Sequence, residues 1–367
     1  MHTSTESTVR IGALAPLGPP GWVDAGRHLL AGLELAAAEA NAAGGIGGRP
    51  LELLVRDTAA SPERAAEAVE GFARSGAVAV VGEYHSVVAR AAAGRAAALG
   101  LPFLCSSAVL DALVEEPTDA VARIAPAQSR GWRLYADHLA AEGHRRVAVA
   151  TEPSAYWAAG AGILAARLAE HGGGITELDA RALSPEALCD ALAADGATAL
   201  LLLTGFPDPA VPILRAVRRD PRLAGLLVGA PAGQPELPSW AGQAGAGGAG
   251  VPFLRYLPAE PGPLALRVGA ALRERLGEEP SFVAYEGWDT VTVLVEALRA
   301  HGTGRAGLTG AWPRLAVDGT RGTIRFSRPP GIDVWQWAWA PIEVVDRDPA
   351  DPTRFRTLRT AGTPDAG

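Results

Sequence analysis

The feature that most constrains the fold is an alternation of short apolar runs with longer segments of helical spacing. Four apolar runs occupy residues 9–14, 51–56, 78–81 and 102–105. Helical segments between them cover residues 27–41, 61–75 and 88–99. The runs are largely continuous rather than alternating with polar residues, which is typical of strands buried on both faces. This order of strands and helices predicts a parallel sheet covered by helices.

The same pattern begins again near residue 132, so two copies of one α/β architecture are predicted. Helices are expected at 132–142, 158–170, 185–194 and 210–219, and strands at 147–150, 199–203 and 226–228. A strand at 251–256, helices at 263–276 and 285–300, and antiparallel strands at 322–326 and 334–339 follow. The alternating Trp335, Trp337 and Trp339 are expected to share one packed face. A chain of 367 residues agrees with two domains.

The charge pattern argues against nucleic acid as a partner. The net charge is −7 at pH 7, and the 33 basic residues, all arginine, are scattered. Their densest cluster, Arg215, Arg218, Arg219 and Arg222, predicts one solvated helix face rather than a binding surface. No run is long and apolar enough to span a bilayer, so direct membrane insertion is not expected.

Cysteine and histidine usage predicts neither a metal site nor a disulfide. Cys105 lies in an apolar run and Cys189 in a helical segment, so two buried free thiols are expected. The seven histidines are spread along the chain without metal-ligand spacing.

The N-terminus, MHTSTESTVRIG, has no basic start followed by an apolar stretch. Residues 1–8 are polar and are predicted to be disordered. As printed, the chain is expected in the cytoplasm. A start codon further upstream would instead make it extracellular or periplasmic.

The chain contains none of the common catalytic or cofactor-binding motifs in its required structural setting. An enzyme is therefore not predicted, and no cofactor is expected. Residues 245–250 fit G-x-G-x-x-G, but a dinucleotide-binding turn follows a strand and opens a helix, whereas this segment precedes a strand. A phosphate-binding P-loop needs a lysine, which the chain lacks. Neither G-x-S-x-G nor H-E-x-x-H occurs.

The stretch VVGEYHSV places Glu83, Tyr84, His85 and Ser86 where a strand ends and a helix begins. His85 and Ser86 are a formal base and nucleophile, which makes a serine hydrolase the least favoured alternative. Adjacent loop side chains usually diverge, and a catalytic triad also needs an orienting carboxylate. Binding is favoured, because ligands of open α/β sheets lie beyond the carboxyl ends of the strands.

Ser86 and Ser107 follow two such strand ends and are the predicted anchors for a ligand head group. The helix after a strand end offers free N–H groups and a partial positive charge, which suit a carboxylate or an amide oxygen. For either serine, a plain helix cap without a ligand is the alternative. Tyr84 is the expected wall of the site and His85 a gate or pH-sensitive contact.

Five stretches carry a family resemblance: AEANAAGGIGGRPLELLVRDTAASPERAAEAVEGF, VVGEYHSVVARAA, GLPFLCSSAV, GHRRVAVATEPSAYWAAG and SFVAYEGWDTV. Together they resemble the type I periplasmic-binding-protein fold, specifically the branched-chain amino-acid (Leu/Ile/Val) binding proteins of ABC transporters. Cytoplasmic amide sensors of the same superfamily look about as similar. The resemblance implies two Rossmann-like α/β lobes with parallel sheets, joined by a three-strand hinge, that close on a ligand in the cleft.

Domain boundaries follow from the resemblance and the repeated pattern. The N-terminal lobe is predicted at 9–124 plus 255–330. The C-terminal lobe is predicted at 125–254 plus 331–348, and a tail at 349–367.

The resemblance also implies ligand contacts in the first lobe. Ser86 matches the serine that holds the ligand carboxylate. Ser107 and Val109 match contacts that follow the fourth strand, where Val109 stands in place of a threonine and one hydroxyl is lost.

Aromatic contacts are implied at four further positions. Tyr156 and Phe206 match aromatic contacts of the second lobe, and Trp22 matches an aromatic near the entrance. Phe282 lies where the family packs a phenylalanine on the ligand side chain.

The sequence departs from the family at the acid that neutralises a ligand ammonium. Amino-acid binders carry a glutamate before GAPAG, whereas residues 228–233 read VGAPAG without an acid. An unpaired buried ammonium costs several kcal/mol. A free amino acid therefore requires Glu83, Glu286 or Asp289 to take this place, and otherwise a neutral amide, a keto acid or an aromatic acid is expected.

The predicted function is that of a solute-binding protein without catalysis. Its partners would be a small ligand and either an ABC permease or a separate regulatory protein. A cytoplasmic sensor of the amide-sensor type is the main alternative. Because the first strand begins at Val9, any DNA-binding partner would be a separate protein.

Overall fold

The computed structural model describes residues 8–362 and divides into two compact units. The first unit contains residues up to Ala127 together with Glu260–Pro341. The second contains Gln128–Ala259 together with the residues from Ile342 onward. Residues 1–7, which carry most of the predicted disordered N-terminus, and residues 363–367 lie outside the described range.

The elements are numbered in chain order. The strands are β1 (Val9–Ala15), β2 (Leu51–Asp57), β3 (Ala79–Gly82), β4 (Phe103–Cys105), β5 (Val121–Arg123), β6 (Arg146–Thr151), β7 (Gly174–Asp179), β8 (Ala199–Leu203), β9 (Leu227–Gly229), β10 (Phe253–Arg255), β11 (Ala316–Gly319), β12 (Gly322–Ser327), β13 (Trp335–Trp337), β14 (Glu343–Arg347) and β15 (Phe355–Thr360). The helices are α1 (Val23–Ala42), α2 (Pro62–Arg74), α3 (Ser86–Ala98), α4 (Gln128–Ala141), α5 (Ala155–Glu170), α6 (Pro185–Asp195), α7 (Ala210–Arg219), α8 (Pro238–Ala244), α9 (Pro263–Leu276), α10 (Phe282–His301) and α11 (Arg305–Thr309).

The first unit is built on a sheet of eight strands in the order β11-β12-β13-β5-β4-β3-β1-β2. Strands β1 to β5 and β13 run parallel, while β11 and β12 are antiparallel to their neighbours. The register aligns Leu14, Gly82, Cys105, Arg123 and Gln336 in one row across the carboxyl edge. The loops that leave this row therefore begin side by side, as the predicted parallel sheet requires.

Local sequence signals explain how the helices of this unit begin and pack. Ser61 caps α2 by accepting a hydrogen bond from the Arg64 amide, and Pro62 occupies the first helical position. Phe72 of α2 and Phe103 of β4 are both buried in the cluster between the sheet and helices α2 and α3. Cys105 is also buried in this cluster, and both Cys105 and Cys189 are free thiols, as predicted.

The second unit contains a parallel sheet of four strands, ordered β7-β6-β8-β9. The chain pairs Thr151 with Leu203 and Leu201 with Gly229, so β6, β8 and β9 end at a common edge. A separate antiparallel sheet joins β10, β14 and β15. Both β7 and β15 are mostly exposed, so neither shows the apolar run from which strands were predicted.

Two predicted boundaries at the C-terminal end are wrong. Residues 331–341 belong to the first unit, because β13 pairs in parallel with β5 and antiparallel with β12. The predicted tail from 349 contains β15, which pairs with β14 of the second unit. Distant pairing partners decide both assignments.

The predicted tryptophan face is also only partly formed. Trp337 is buried in β13 and Trp335 is half-buried, whereas Trp339 lies beyond the strand and is 57% exposed. The strand ends at Trp337, so the alternation does not continue to Trp339.

Candidate ligand-binding site

The polar residues of VVGEYHSV lie at the carboxyl edge of the first unit's sheet. β3 ends at Gly82 and α3 begins at Ser86, so Glu83, Tyr84 and His85 form the turn between them. The neighbouring strand β4 ends at Cys105, opposite Gly82. The predicted anchors Ser86 and Ser107 therefore follow adjacent strands.

Ser86 connects the two loops at this edge. Its hydroxyl oxygen accepts hydrogen bonds from the Val109 and Leu110 amides, both at 3.2 Å. Ser86 is 8% exposed and Val109 is 5% exposed. Both bonds use the hydroxyl as an acceptor, so its own hydrogen is available to another group.

The first turn of α3 has no side-chain cap. His85 occupies the N-cap position without making a capping bond. The first N–H groups of this helix of 13 residues can therefore serve an oxygen that is not part of the helix.

Three half-buried aromatic rings lie beside Ser86. The ring centroids of Trp22 and Tyr84 are 5.6 Å apart, those of Trp22 and His85 5.8 Å, and those of Tyr84 and His85 5.5 Å. Each ring keeps part of its surface accessible. We call the rings of Trp22, Tyr84 and His85 the first-unit aromatic cluster.

His85 is held as a neutral ring. The Trp22 amide donates a hydrogen bond of 3.1 Å to His85 Nε2, which must therefore be an acceptor. Burial lowers the pKa of His85 to about 4. A pH-sensitive contact at neutral pH is not supported, and Nε2 is engaged with a backbone amide rather than with the neighbouring serine.

Glu83 is completely buried and organises the turn. Its carboxylate accepts hydrogen bonds from the Thr58 hydroxyl at 2.8 Å and from the amides of Tyr84 and His85 at 2.9 and 3.0 Å. Burial is the largest influence on its pKa, which is raised to about 7 despite these bonds. Glu83 is thus neither a solvated charge nor an open carboxylate.

The other two acids considered as ammonium partners lie on α10. Both carboxylate oxygens of Asp289 accept hydrogen bonds. Oδ1 accepts from the Thr320 amide and hydroxyl, and Oδ2 accepts from Arg321 Nε at 2.9 Å. Glu286 accepts from Arg321 Nη1 at 3.2 Å. Burial raises the pKa of both carboxyls, to about 7 for Glu286.

Ser107 lies close to this buried acid. Burial raises the pKa of Glu286, while the Arg321 charge and a hydrogen bond with the Ser107 side chain lower it. Ser107 Oγ also lies 3.2 Å from Ser106 Oγ. Phe282, at the start of α10, is only 1% exposed. Its side chain is thus packed inside the first unit.

The predicted aromatic residues of the second unit follow adjacent strands. Tyr156 is the second residue of α5, after β6, and Phe206 follows β8; both are half-buried. Tyr156 contacts the rings of Trp157 and Trp132, with centroids 4.7 and 6.2 Å away. Phe206 stacks on Trp240 at 5.6 Å.

Gly229, in the segment 228–233, has no room for a side chain. A Cβ atom at this position would lie 2.1 Å from the Tyr135 hydroxyl. That hydroxyl donates to the Pro252 carbonyl at 2.9 Å. Any side chain at 229 would thus displace Tyr135.

Within residues 8–362, no group of three or more His, Cys, Asp or Glu side chains has an arrangement that would hold a metal ion. In the same range, no helix has the length and apolar character of a membrane span.

A family model described as periplasmic binding protein matches residues 8–333, which is most of the chain. The chain belongs to the periplasmic binding protein family. The resemblance predicted from the five sequence stretches is confirmed, as is the mixed α/β class with parallel sheets. A search of curated proteins found no match.

Solved structures of similar fold include three binding proteins. A leucine binding protein, LivK, from Thermotoga maritima has a TM-score of 0.80 and 19% identity, covering 98% of this chain and 99% of its own. The branched-chain amino acid binding protein LivJ from Streptococcus pneumoniae, in complex with isoleucine, has a TM-score of 0.79 and 19% identity, covering 96% and 100%. A solute binding protein from R. palustris, in complex with benzoate, has a TM-score of 0.78 and 18% identity, covering 96% and 96%.

Two polar residues of this periplasmic binding protein were not predicted as site residues. Thr204 directly follows β8, and Gln234 lies five residues after β9. Both are completely buried. One sequence signal could have identified Thr204: it ends the apolar run LLLLT, and a hydroxyl is unusual at the end of a buried strand.

Proposed function

We propose that this periplasmic binding protein binds a small solute with a carboxylate or amide head group and delivers it to an ABC permease, without catalysing a reaction. The observation that carries the proposal is the first-unit aromatic cluster beside Ser86, at the carboxyl edge of a parallel sheet. Concave sites in such sheets bind ligands there, with aromatic walls and a few polar anchors.

The head group is assigned to the first unit because that unit offers hydrogen-bond donors at the carboxyl edge of its sheet. The uncapped first turn of α3 supplies N–H donors and a partial positive charge. Ser86 adds a hydroxyl hydrogen that its two known bonds do not use. A carboxylate or an amide oxygen accepts both kinds of donor.

The remainder of the solute is assigned to apolar and aromatic contacts. Trp22 and Tyr84 present partly accessible rings next to the head-group site. The structural relatives that bind isoleucine and benzoate show that one fold accommodates aliphatic and aromatic bodies. Tyr156 and Phe206 remain the predicted contacts from the second unit.

A serine hydrolase has less support. His85 Nε2 accepts a bond from Trp22, and the Ser86 oxygen accepts two from other backbone amides. A nucleophile and its base would instead be hydrogen-bonded to each other.

Calorimetric titration with aliphatic and aromatic carboxylates, their amides and branched-chain amino acids tests the proposal. We expect binding to at least one carboxylate or amide, and we expect Ser86→Ala to weaken it about tenfold or more, as for the loss of a charge-assisted hydrogen bond. Ser184→Ala is the matched control, because Ser184 caps α6 through the Ala187 amide and is exposed.

Thermal unfolding must accompany the titrations, since Ser86→Ala leaves two buried amides without an acceptor and should cost about 1–3 kcal/mol of stability. No binding at millimolar concentrations across the panel would refute the proposal. A folded Ser86→Ala protein with unchanged affinity would refute the proposal that Ser86 binds the head group.

A further inference from the structure

Three buried polar atoms near the carboxyl edge of the second unit's sheet have no hydrogen-bond partner in the described chain. They are Gln128 Oε1, Thr204 Oγ1 and Gln234 Oε1. Each residue is at most 1% exposed. An unsatisfied buried polar group costs about 1–3 kcal/mol, so native proteins rarely leave several of them unpaired. This arrangement indicates a partner that is not part of the protein.

Thr204 and Gln234 form one pair. They follow the adjacent strands β8 and β9, and Gln234 Nε2 donates to the Thr204 carbonyl at 3.4 Å. A carbonyl only accepts, so the amide nitrogen must face it and Oε1 must be the free atom. The pair therefore offers one acceptor, Oε1, and one hydroxyl that can donate or accept.

The third atom, Gln128 Oε1, belongs to a residue beside a predicted ligand contact, Tyr156. Gln128 Nε2 donates to the Tyr156 carbonyl at 3.0 Å, and the Trp132 ring meets the Tyr156 ring edge-on at 6.2 Å. Tyr156 follows β6, which is paired with β8. Gln128 and the Thr204–Gln234 pair thus belong to loops and helices at the same edge of this sheet.

None of these three atoms carries a charge, and the two carboxylates Glu152 and Glu236 in the same region are occupied. Glu152 accepts from the Gly205 amide at 2.6 Å and forms an ion pair with Arg181 at 3.2 Å. Glu236 forms an ion pair with Arg255 at 3.0 Å. A ligand ammonium buried beside Thr204 and Gln234 would find neither Glu152 nor Glu236 free as a counter-charge, and an unpaired buried ammonium costs several kcal/mol.

We propose that Thr204 and Gln234 bind an uncharged hydrogen-bonding group of the solute, a hydroxyl or a carboxamide, and thereby discriminate against an ammonium in that place. The inference rests on the proposed solute-binding function and specifies its substrate class. A hydroxyl or carboxamide N–H can donate to Gln234 Oε1 while its oxygen accepts from the Thr204 hydroxyl.

Ligands that share one carbon skeleton test the discrimination. The probes are 4-methylpentanoate and its 2-ammonio, 2-hydroxy and 2-carbamoyl derivatives, together with the corresponding 3-phenylpropanoate series. In at least one series, we expect the hydroxy or carbamoyl compound to bind about tenfold or more tightly than the amino acid.

Variants then locate the preference. Thr204→Val and Gln234→Met should each weaken binding of the preferred compound by about three- to tenfold, with little effect on the unsubstituted parent acid. Thr204→Ser should restore the affinity. The controls are Thr198→Val and Gln243→Met, because Thr198 lies at the opposite end of β8 and both side chains are exposed.

The outcomes separate the two proposals. The inference is overturned if the amino acid binds more tightly than both neutral derivatives. It is also overturned if Thr204→Val weakens binding of the substituted and the parent acids equally. Ser86-dependent binding would still support the solute-binding function in that case. If no compound of either series or of the wider panel binds, both proposals fail.

Discussion

Burial decides the different roles of the neighbouring residues Glu83, Tyr84, His85 and Ser86. Glu83 is enclosed and holds the turn through three hydrogen bonds, whereas Tyr84 and His85 keep part of their rings accessible. Ser86 faces the loop after β4 and bonds its amides. These four neighbouring polar residues therefore divide into a structural acid, an aromatic surface and the proposed head-group anchor.

Glu83→Gln should change how stability depends on pH. The pKa of Glu83 is raised from an ordinary 4.5 to about 7, so the folded state holds its proton more tightly than the unfolded state. Its contribution to the free energy of unfolding is fully present below pH 4.5 and is lost as pH rises through 7. Glutamine removes this loss, which is on the order of 1–3 kcal/mol.

Denaturant unfolding at pH 5 and pH 8 measures the effect. The wild type should lose more stability than Glu83→Gln between these values, while Glu115→Gln, at a side chain 87% exposed, should follow the wild type. Parallel profiles for wild type and Glu83→Gln would contradict the assignment. Glu286 shifts in the same direction, so some loss should persist in the variant.

Among the elements, the contact between α1 and α10 depends on glycine. A Cβ at Gly32 would lie 2.0 Å from the Ala284 carbonyl oxygen, and one at Gly287 would lie 2.4 Å from the Leu29 carbonyl oxygen. These neighbours are backbone atoms that cannot rotate away. The two helices therefore approach closely because both lack side chains where they meet.

Gly32→Ala should destabilise the protein by about 1–3 kcal/mol or more, because α1 and α10 must separate. Gly94→Ala is the matched control, since Gly94 lies inside α3 with no atom within 4 Å of a new Cβ. The control should stabilise by about 0.4–1 kcal/mol. Equal stabilities of the two variants in chemical denaturation would show that the helices tolerate the added methyl group.

The whole molecule joins segments that are far apart in the chain. In the first unit, three strands of the sheet, β11 to β13, come from residues after 315. In the second unit, β14, from residues after 341, pairs with β10. Arg347 reinforces the latter contact, because its guanidinium donates to the Pro235 and Glu236 carbonyls at 2.7 and 3.1 Å. The C-terminal strands are thus part of the second unit rather than a tail.

A chain ending at Pro341 should lose the integrity of the second unit. β10 would lose its partner β14, and Phe253 would lose its ring contact with Phe355 at 5.8 Å. Limited proteolysis should cleave within 128–259 at least about tenfold faster than in the full chain, because local stability falls. Leu358→Ala, at a residue 37% exposed, is the full-length control. Unchanged cleavage rates would show that this unit does not need β14 and β15.

The sequence by itself determined the fold class, most strands and helices, the family and the strand ends that carry Ser86 and Ser107. These properties follow from local periodicity and short motifs, which are readable without neighbours. Only the tertiary structure decided the placement of β13 and β15, since their pairing partners lie far away in the chain. It also decided the burial of Glu83 and the unpaired atoms of Thr204 and Gln234, because desolvation and hydrogen bonding depend on every element packed around a residue.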